Sequence, residues 1–218
     1  MRTIFTLLVG VVAMVCTGCE VDDTELNNSK TYTLYEDISA LVISNGVDVI
    51  VDDALPHNQV YALTNANNFN RLNIEAIDGT LHIGVSISIF EHNRCVVYVP
   101  SVAYERVEMG GGSDFSWDSC NSDVLSVTVS GGSDCYIKGV AQKLSIDSSG
   151  GADAECSELE AENVTIDASG GSDVDAVANS TLSLTASGGA DVHVKGNPQI
   201  VHWDVSEGAD VEFNYVIH

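Results

Sequence analysis

Residues 127–134 read Val-Thr-Val-Ser-Gly-Gly-Ser-Asp, and residues 166–173 read Ile-Asp-Ala-Ser-Gly-Gly-Ser-Asp. The tetrad Gly-Gly-Ser/Ala-Asp that ends both stretches recurs along the second half of the chain. Its aspartates are Asp114, Asp134, Asp153, Asp173 and Asp191, followed by Asp210 in a degenerate copy. Successive aspartates are 20, 19, 20, 18 and 19 residues apart. A period of about 19 residues indicates a repeat architecture in which each unit stacks on its neighbours.

Side chains on both sides of each tetrad alternate between apolar and polar. The first and third residues after the aspartate are mainly apolar, whereas the residue between them is Ser, Tyr, Glu, Asp or His. The same alternation precedes the tetrad, where Ile166 is apolar and Asp167 is polar. A period of two is typical of strands with one buried face, so each unit is predicted to be strand, glycine turn and strand. Trp117 and Trp203 fall in apolar columns and are predicted to lie in the core.

One such unit cannot bury its apolar face alone. Stacking the units at the strand spacing of about 4.8 Å buries a continuous interior and pairs the backbone of each unit with that of the next. The glycines supply turn conformations that other residues rarely adopt, and they let successive turns lie close together. The repeats therefore predict an all-β solenoid with parallel coils of about 19 residues.

The first half of the chain is strand-like but less regular. A seventh, outlying copy of the tetrad is Asn45-Gly46-Val47-Asp48. Asp78-Gly79, between two apolar segments, predicts a β-hairpin. We therefore predict one solenoid domain over residues 31–218, with an irregular N-terminal part at 31–100 and regular repeats at 101–212.

The N-terminus has the composition of an export signal. Residues 1–18 contain one basic residue and an apolar run, and Thr17-Gly18 stands directly before Cys19. This order predicts a secretory signal. Thr17-Gly18-Cys19 resembles the lipobox of bacterial lipoproteins, which implies a signal peptide over 1–18 with Cys19 acylated, although Cys16 stands where Leu is usual. An ordinary signal that is cleaved elsewhere is the alternative. Residues 19–30 then form an acidic tether, either a targeting signal or a flexible linker, and we expect a lipid-anchored protein at the outer membrane or cell surface.

Four cysteines remain after the signal, namely Cys95, Cys120, Cys135 and Cys156. Export would place them in an oxidising compartment, where disulfides form. Four cysteines allow three pairings, and their spacing does not choose among them.

The charge balance excludes one class of function. Lys and Arg total 8 against 32 Asp and Glu, which gives a formal net charge of -24. Such a chain repels nucleic acid and anionic lipid headgroups, so nucleic-acid binding is excluded. Divalent cations and neutral or cationic partners remain compatible with this charge. The sequence leaves the oligomeric state open.

Several segments together resemble a known family. They are the lipobox, residues 42–49 (Val-Ile-Ser-Asn-Gly-Val-Asp-Val), residues 97–100 (Val-Tyr-Val-Pro), the Ser-Gly-Gly-Ser/Ala-Asp turns, and residues 195–198 (Lys-Gly-Asn-Pro). Over about residues 31–212 the chain is similar to the head GIN domain auto-transporter adhesin family. The resemblance implies a right-handed, single-stranded parallel β-helix and a location at the cell surface or in the envelope. Glu207 departs from the pattern, since it replaces a tetrad glycine.

The tetrad aspartates form the sharpest chemical feature. Unit charges at the strand spacing repel by roughly 0.9 kcal/mol in water, so a ladder of carboxylates is unfavourable unless something counters it. Asp153, Glu155, Asp173 and Asp175 are expected to project together and form a possible Ca²⁺ site, because Ca²⁺ takes six to eight oxygen ligands. In the alternative, each aspartate caps its own turn through backbone amides. No cofactor is required by either interpretation.

The alternation also predicts the directions of two other side chains. Tyr136 faces outward, which makes it a candidate platform for binding a ligand. His193 is predicted to face the acidic column and to form a surface ion pair there.

Two functions from different classes fit this chain. The first is a noncatalytic binding or structural module that contacts glycan or a surface protein through the solenoid faces. For this function we assign no catalytic residues. The second is a polysaccharide lyase or glycoside hydrolase on the same coil. A lyase needs a cluster of basic groups, but the mature chain has none among Lys30, Arg71, Arg94, Arg106, Lys138, Lys143 and Lys195. A hydrolase needs only two carboxylates at a set separation, which counting does not exclude. The first function is therefore favoured.

Overall fold

Most of the described chain lies in strands that turn at glycines and stack on one another. The computed structural model describes residues 26, 28–64, 69–86, 95–206 and 208–214, so the predicted signal peptide and Cys19 lie outside the described residues. The strands are β1 (Asn28–Thr33), β2 (Ala40–Ser44), β3 (Asp48–Asp52), β4 (Gln59–Thr64), β5 (Leu72–Ile77), β6 (Thr80–Val85), β7 (Cys95–Pro100), β8 (Arg106–Gly110), β9 (Asp114–Gly131), β10 (Asp134–Gly150), β11 (Asp153–Gly170), β12 (Asp173–Ala186), β13 (Asp191–Lys195), β14 (Gln199–Val205) and β15 (Asp210–Asn214). They join in one continuous sheet. Within these described ranges no helix is long and apolar enough to cross a membrane.

The regular coils stack in parallel with the register that the tetrads predict. Strands β9 to β12 each run through most of a coil, and each pairs in parallel with the next. The tetrad aspartates are partners from coil to coil in the order Asp114, Asp134, Asp153, Asp173, Asp191 and Asp210. The prediction of an all-β solenoid with parallel coils of about 19 residues is confirmed.

The turn between the strands depends on its first glycine. Gly150 and Gly170 have φ values of 83° and 80°, in the left-handed region that L side chains rarely adopt. A Cβ added at Gly170 would lie only 2.9 Å from the carbonyl oxygen of Gly150 in the preceding coil. Glycine therefore satisfies two conditions here, the backbone conformation and the close stacking of successive turns.

Small and β-branched side chains fill the interior in register columns. One column contains Phe115, Cys135, Ala154, Val174 and Val192, and another contains Val127, Ile146, Ile166 and Leu184. Every member of these two columns is at most 2% exposed. Trp117 is 1% exposed and meets Tyr104 edge to face, with ring centroids 5.4 Å apart. The core prediction for Trp117 is confirmed.

The core prediction for Trp203 is wrong. Trp203 is the register partner of the buried Leu184, so it does stand in an inward column, yet 45% of it is exposed. Strand β14 pairs with β12 on one side, and among the described strands none pairs with it on the other side. The ring stacks instead on Phe213 at a centroid distance of 5.7 Å.

In the N-terminal part, spatial order differs from chain order. The coil formed by β2 and β3 lies between the coil of β6 and β7 and the coil of β8 and β9, all in parallel. Antiparallel strands complete this end, since β4 adds to β7, β1 adds to β4, and β5 adds to β6. The Asp78-Gly79 hairpin between β5 and β6 is confirmed. The turn at Asn45-Gly46 stacks beside the first regular turn, and the amide of Gly46 donates to Ser113 Oγ at 3.1 Å.

The cysteines of the described chain are free. Cys95, Cys120, Cys135 and Cys156 are all buried, and none of the three possible pairings is formed. Burial raises the pKa of Cys120 to about 11 and that of Cys156 to about 12. A thiol with so high a pKa stays protonated and is a poor nucleophile, which makes these residues core side chains.

Candidate functional site

The strands that follow the glycine turns present one outward surface of the solenoid, which we call the post-turn face. They are β3, β9, β10, β11, β12, β13 and β15, and β7 and β4 extend the same face beyond β3, so that the spatial order is β4, β7, β3, β9, β10, β11, β12, β13 and β15. One register column on this face holds the tetrad aspartates. A second column, two residues further along each strand, is named the outward strip. Its members in spatial order are Tyr61, Tyr98, Ile50, Ser116, Tyr136, Glu155, Asp175, His193 and Glu212.

The first half of the outward strip is aromatic and apolar. Tyr61 and Tyr98 are neighbours on antiparallel strands, with ring centroids 6.1 Å apart and planes tilted by 44°. Ile50 follows on the next strand, and all three side chains are half-buried. Sequence analysis missed these residues, because they reach the strip only when the N-terminal strands fold back between and beside the regular coils. The outlying tetrad ending at Asp48 was the one available signal, since it aligns Ile50 with Ser116.

Tyr136 lies where the strip changes from aromatic to acidic. Its hydroxyl donates a hydrogen bond to Glu158 Oε1 at 2.9 Å, and Lys138 Nζ lies 2.7 Å from the other oxygen of the same carboxylate. Partial burial and this hydrogen bond raise the pKa of Tyr136 to about 12. The hydrogen bonds from Lys138 and Tyr136 lower the pKa of Glu158. The ring is thus held at the surface by its own hydroxyl, as the prediction of an outward Tyr136 requires.

The second half of the strip is acidic around one histidine. His193 Nδ1 lies 3.8 Å from Asp175 Oδ1, and His193 Nε2 lies 3.7 Å from Glu212 Oε2. The predicted position of His193 against acidic neighbours is confirmed. An imidazole placed between two carboxylates on adjacent strands is an ion pair when it is protonated.

The residues predicted for Ca²⁺ occupy two adjacent coils. Asp153 pairs in register with Asp173, and Glu155 pairs with Asp175. Asp153 is largely exposed, but partial burial of its carboxyl, followed by repulsion from Asp134 and Asp173, raises its pKa. In the part of the chain that the structure describes, no group of three or more His, Cys, Asp or Glu side chains is arranged to hold a metal ion. The calcium site stays a prediction.

The post-turn face combines two kinds of chemistry suited to binding. Aromatic rings and Ile50 offer apolar contact, and carboxylates on the neighbouring rungs accept hydrogen bonds or pair with cations. Both lie on a sheet built of parallel coils, whose rungs repeat at about 4.8 Å. An extended ligand aligned with the solenoid axis would meet both regions in succession.

These features define a parallel β-solenoid with a differentiated outward strip. The chain belongs to the family described as "Putative auto-transporter adhesin, head GIN domain", whose model matches residues 37–198. The family resemblance inferred from the lipobox and turns is thereby confirmed.

Solved structures share the fold at low sequence identity. A putative adhesin from Bacteroides fragilis is 15% identical with a TM-score of 0.64, over 87% of this chain and 96% of that one. A putative adhesin from Parabacteroides merdae is 16% identical with a TM-score of 0.51, over 88% and 97% of the two chains. A structure from Parabacteroides distasonis described as a putative lipid binding protein is 13% identical with a TM-score of 0.50, over 86% and 96%. No curated protein sequence matches the chain.

Proposed function

We propose that this protein is a noncatalytic binding module of the bacterial cell surface, an adhesin-like lipoprotein that contacts glycan or protein through its post-turn face. The observation that carries the proposal is the outward strip, in which Tyr98, Ile50 and Tyr136 stand on the same column as Glu155 and Asp175. Partly exposed aromatic side chains and carboxylates on an open sheet are suited to contact with an extended partner. The adhesin description of the family supports the same role.

The binding test compares two faces of one protein. The mature domain is applied to an array of immobilised glycans and extracellular matrix proteins. The strip variant carries Tyr98→Ser and Tyr136→Ser, and the matched control carries Thr128→Ala and Asp147→Ala, two outward residues of the strands before the turn. We expect at least one array component to bind the wild type and the control but not the strip variant.

A parallel assay addresses the enzymatic alternative. The same glycans are incubated with the mature domain, and new reducing ends and unsaturated sugar products are measured. We expect neither product. Sustained release of either product, lost in the strip variant, would replace the binding module with a lyase or hydrolase.

Lipid anchoring is the second part of the proposal, and it rests on Thr17-Gly18-Cys19 after the apolar run. An acylated Cys19 would hold the domain at the outer membrane through a short acidic tether. We expect the wild type to enter the detergent phase of a two-phase extraction and Cys19→Ala to stay in the aqueous phase. Equal membrane association of both proteins would contradict the lipoprotein assignment.

A further inference from the structure

The outward strip contains a notch at Ser116. Ser116 pairs with Ile50 on one side and with Tyr136 on the other. Its small side chain therefore stands between two larger ones, whose strands lie two strand spacings apart, or about 9.5 Å. Ser116 is the floor of this notch, and Ile50 and Tyr136 are its walls. A ring face of Tyr136 on this side meets no large side chain from the strip.

Carboxylates border the notch along the same strand. Asp118 lies two residues after Ser116 and is exposed, and Asp114 lies two residues before it. Because the strand period is two, these side chains share the outward face of Ser116. Asp118 and Glu155 both lie close enough to the phenol of Tyr136 to contribute to its raised pKa. The notch thus has one aromatic wall, one aliphatic wall and an acidic border.

We propose that the Ser116 notch is a saccharide subsite, and that it takes an uncharged or amino-bearing pyranose ring of a linear glycan. This proposal rests on the proposed binding function and names the ligand class. The C–H face of a pyranose packs against the ring of Tyr136, and hydroxyl groups at its edge donate hydrogen bonds to Asp118. A uronate is disfavoured, because its carboxylate would approach Asp114, Asp118 and Glu155.

The direction of the bound glycan follows from the walls. A pyranose that packs its face against the ring of Tyr136 has its glycosidic bonds along strand β9, so successive sugars extend past Asp118 on one side and Asp114 on the other. An amino sugar gains on both sides, where its ammonium group meets a carboxylate. An uncharged sugar gains most at the aromatic wall.

Calorimetric titration of the mature domain tests the proposal with three hexasaccharides. The probes are cellohexaose, chitosan hexaose and the hexamer of galacturonic acid. We expect the first two to bind and the third not to bind. Ser116→Tyr fills the notch and Tyr136→Ala removes its wall, and we expect each to weaken binding at least about tenfold, equivalent to about 1.4 kcal/mol.

One variant separates the notch from general effects on the protein. Thr128→Tyr adds the same bulk as Ser116→Tyr to an outward position of the same strand on the other face, and we expect it to bind normally. Thermal melts are used to check that each variant is folded.

Three results would overturn the subsite. They are binding of the uronate as strongly as of cellohexaose, equal binding by Ser116→Tyr and Thr128→Tyr, or absence of binding to all three hexasaccharides. The proposed function fails by a different result, namely the loss of strip-dependent binding to every glycan and protein of the array. A domain that binds a matrix protein through the strip but no hexasaccharide would therefore refute the subsite alone.

Discussion

At the scale of single residues, the alternation of inward and outward side chains has the largest energetic consequence. Ile166 is 1% exposed and lies in the inward column between Ile146 and Leu184, whereas its neighbour Asp167 is exposed. We expect Ile166→Asp to destabilise the domain by several kcal/mol, because it buries an unpaired charge. Asp167→Asn is the control and is expected to be nearly neutral. Urea unfolding of both variants checks this, and equal shifts of the two midpoints would contradict the register.

A second residue-scale prediction concerns pH. The pKa of Asp153 is raised in the folded state, so folding disfavours its ionised form. The stability associated with this group is present below its unfolded pKa and is lost as the pH rises through its folded pKa. We therefore expect Asp153→Asn to be more stable than the wild type at about pH 7, by less than about 1 kcal/mol because the group is exposed, and to match it at about pH 3.

The control for this prediction is Asp204→Asn on the final coil. The register partner of Asp204 is Thr185 rather than another carboxylate. Melting temperatures at both pH values decide the matter. A gain by Asp204→Asn as large as the gain by Asp153→Asn would mean that net charge, not the ladder, is responsible.

At the scale of the elements, the glycine turns fix how coils stack. We expect Gly170→Ala to destabilise the domain by about 1–3 kcal/mol, since the new Cβ meets the backbone of Gly150 and alanine disfavours the φ of 80°. Gly132 is the matched control, because a Cβ there meets nothing within 4 Å. Thermal unfolding of Gly170→Ala and Gly132→Ala measures the difference. If the two variants melt at the same temperature, the close approach of successive turns does not stabilise the stacking of the coils.

The ladder of carboxylates on adjacent strands leads to the calcium prediction. If Asp153, Glu155, Asp173 and Asp175 share a Ca²⁺ ion, millimolar Ca²⁺ will raise the melting temperature more than NaCl of equal ionic strength does. A site occupied at ten times its Kd contributes roughly 1.4 kcal/mol. Asp175→Asn should abolish the difference between the two salts. If the wild type melts at the same temperature in Ca²⁺ and in NaCl of equal ionic strength, these carboxylates do not form a calcium site.

At the scale of the whole molecule, sequence predicts the regular coils far better than their ends. The spacing of the tetrads sets the register of Asp153 against Asp173, because every coil repeats the same pattern. Strand alternation also gives the outward position of Tyr136. It cannot give the exposure of Trp203, since alternation sets the direction of a side chain and not whether another coil covers it.

The aromatic half of the outward strip was not predictable for a different reason. Tyr98 pairs with Ile50 and with Tyr61, which lie far away along the chain, and no repeated motif marks their strands as partners. Local patterns identify strands, whereas pairing between distant irregular strands depends on the packing of the whole N-terminal end. One half of the candidate site is therefore formed by the regular repeats, and the other half by strands that are distant along the chain.

The insertion of β2 and β3 between later strands affects the order in which the chain can fold as it is synthesised. Ser44 pairs with Gly84 and with Gly110, so a chain that emerges amino-terminus first presents residues 40–52 before either partner exists. Closing such long loops is slow, whereas each regular coil needs only the coil just before it. We expect residues 40–52 to stay without stable structure until the strands that flank them have been made. The N-terminal coils can form only after β8, which ends at Gly110, has been made. Each later coil can then fold onto the coil before it.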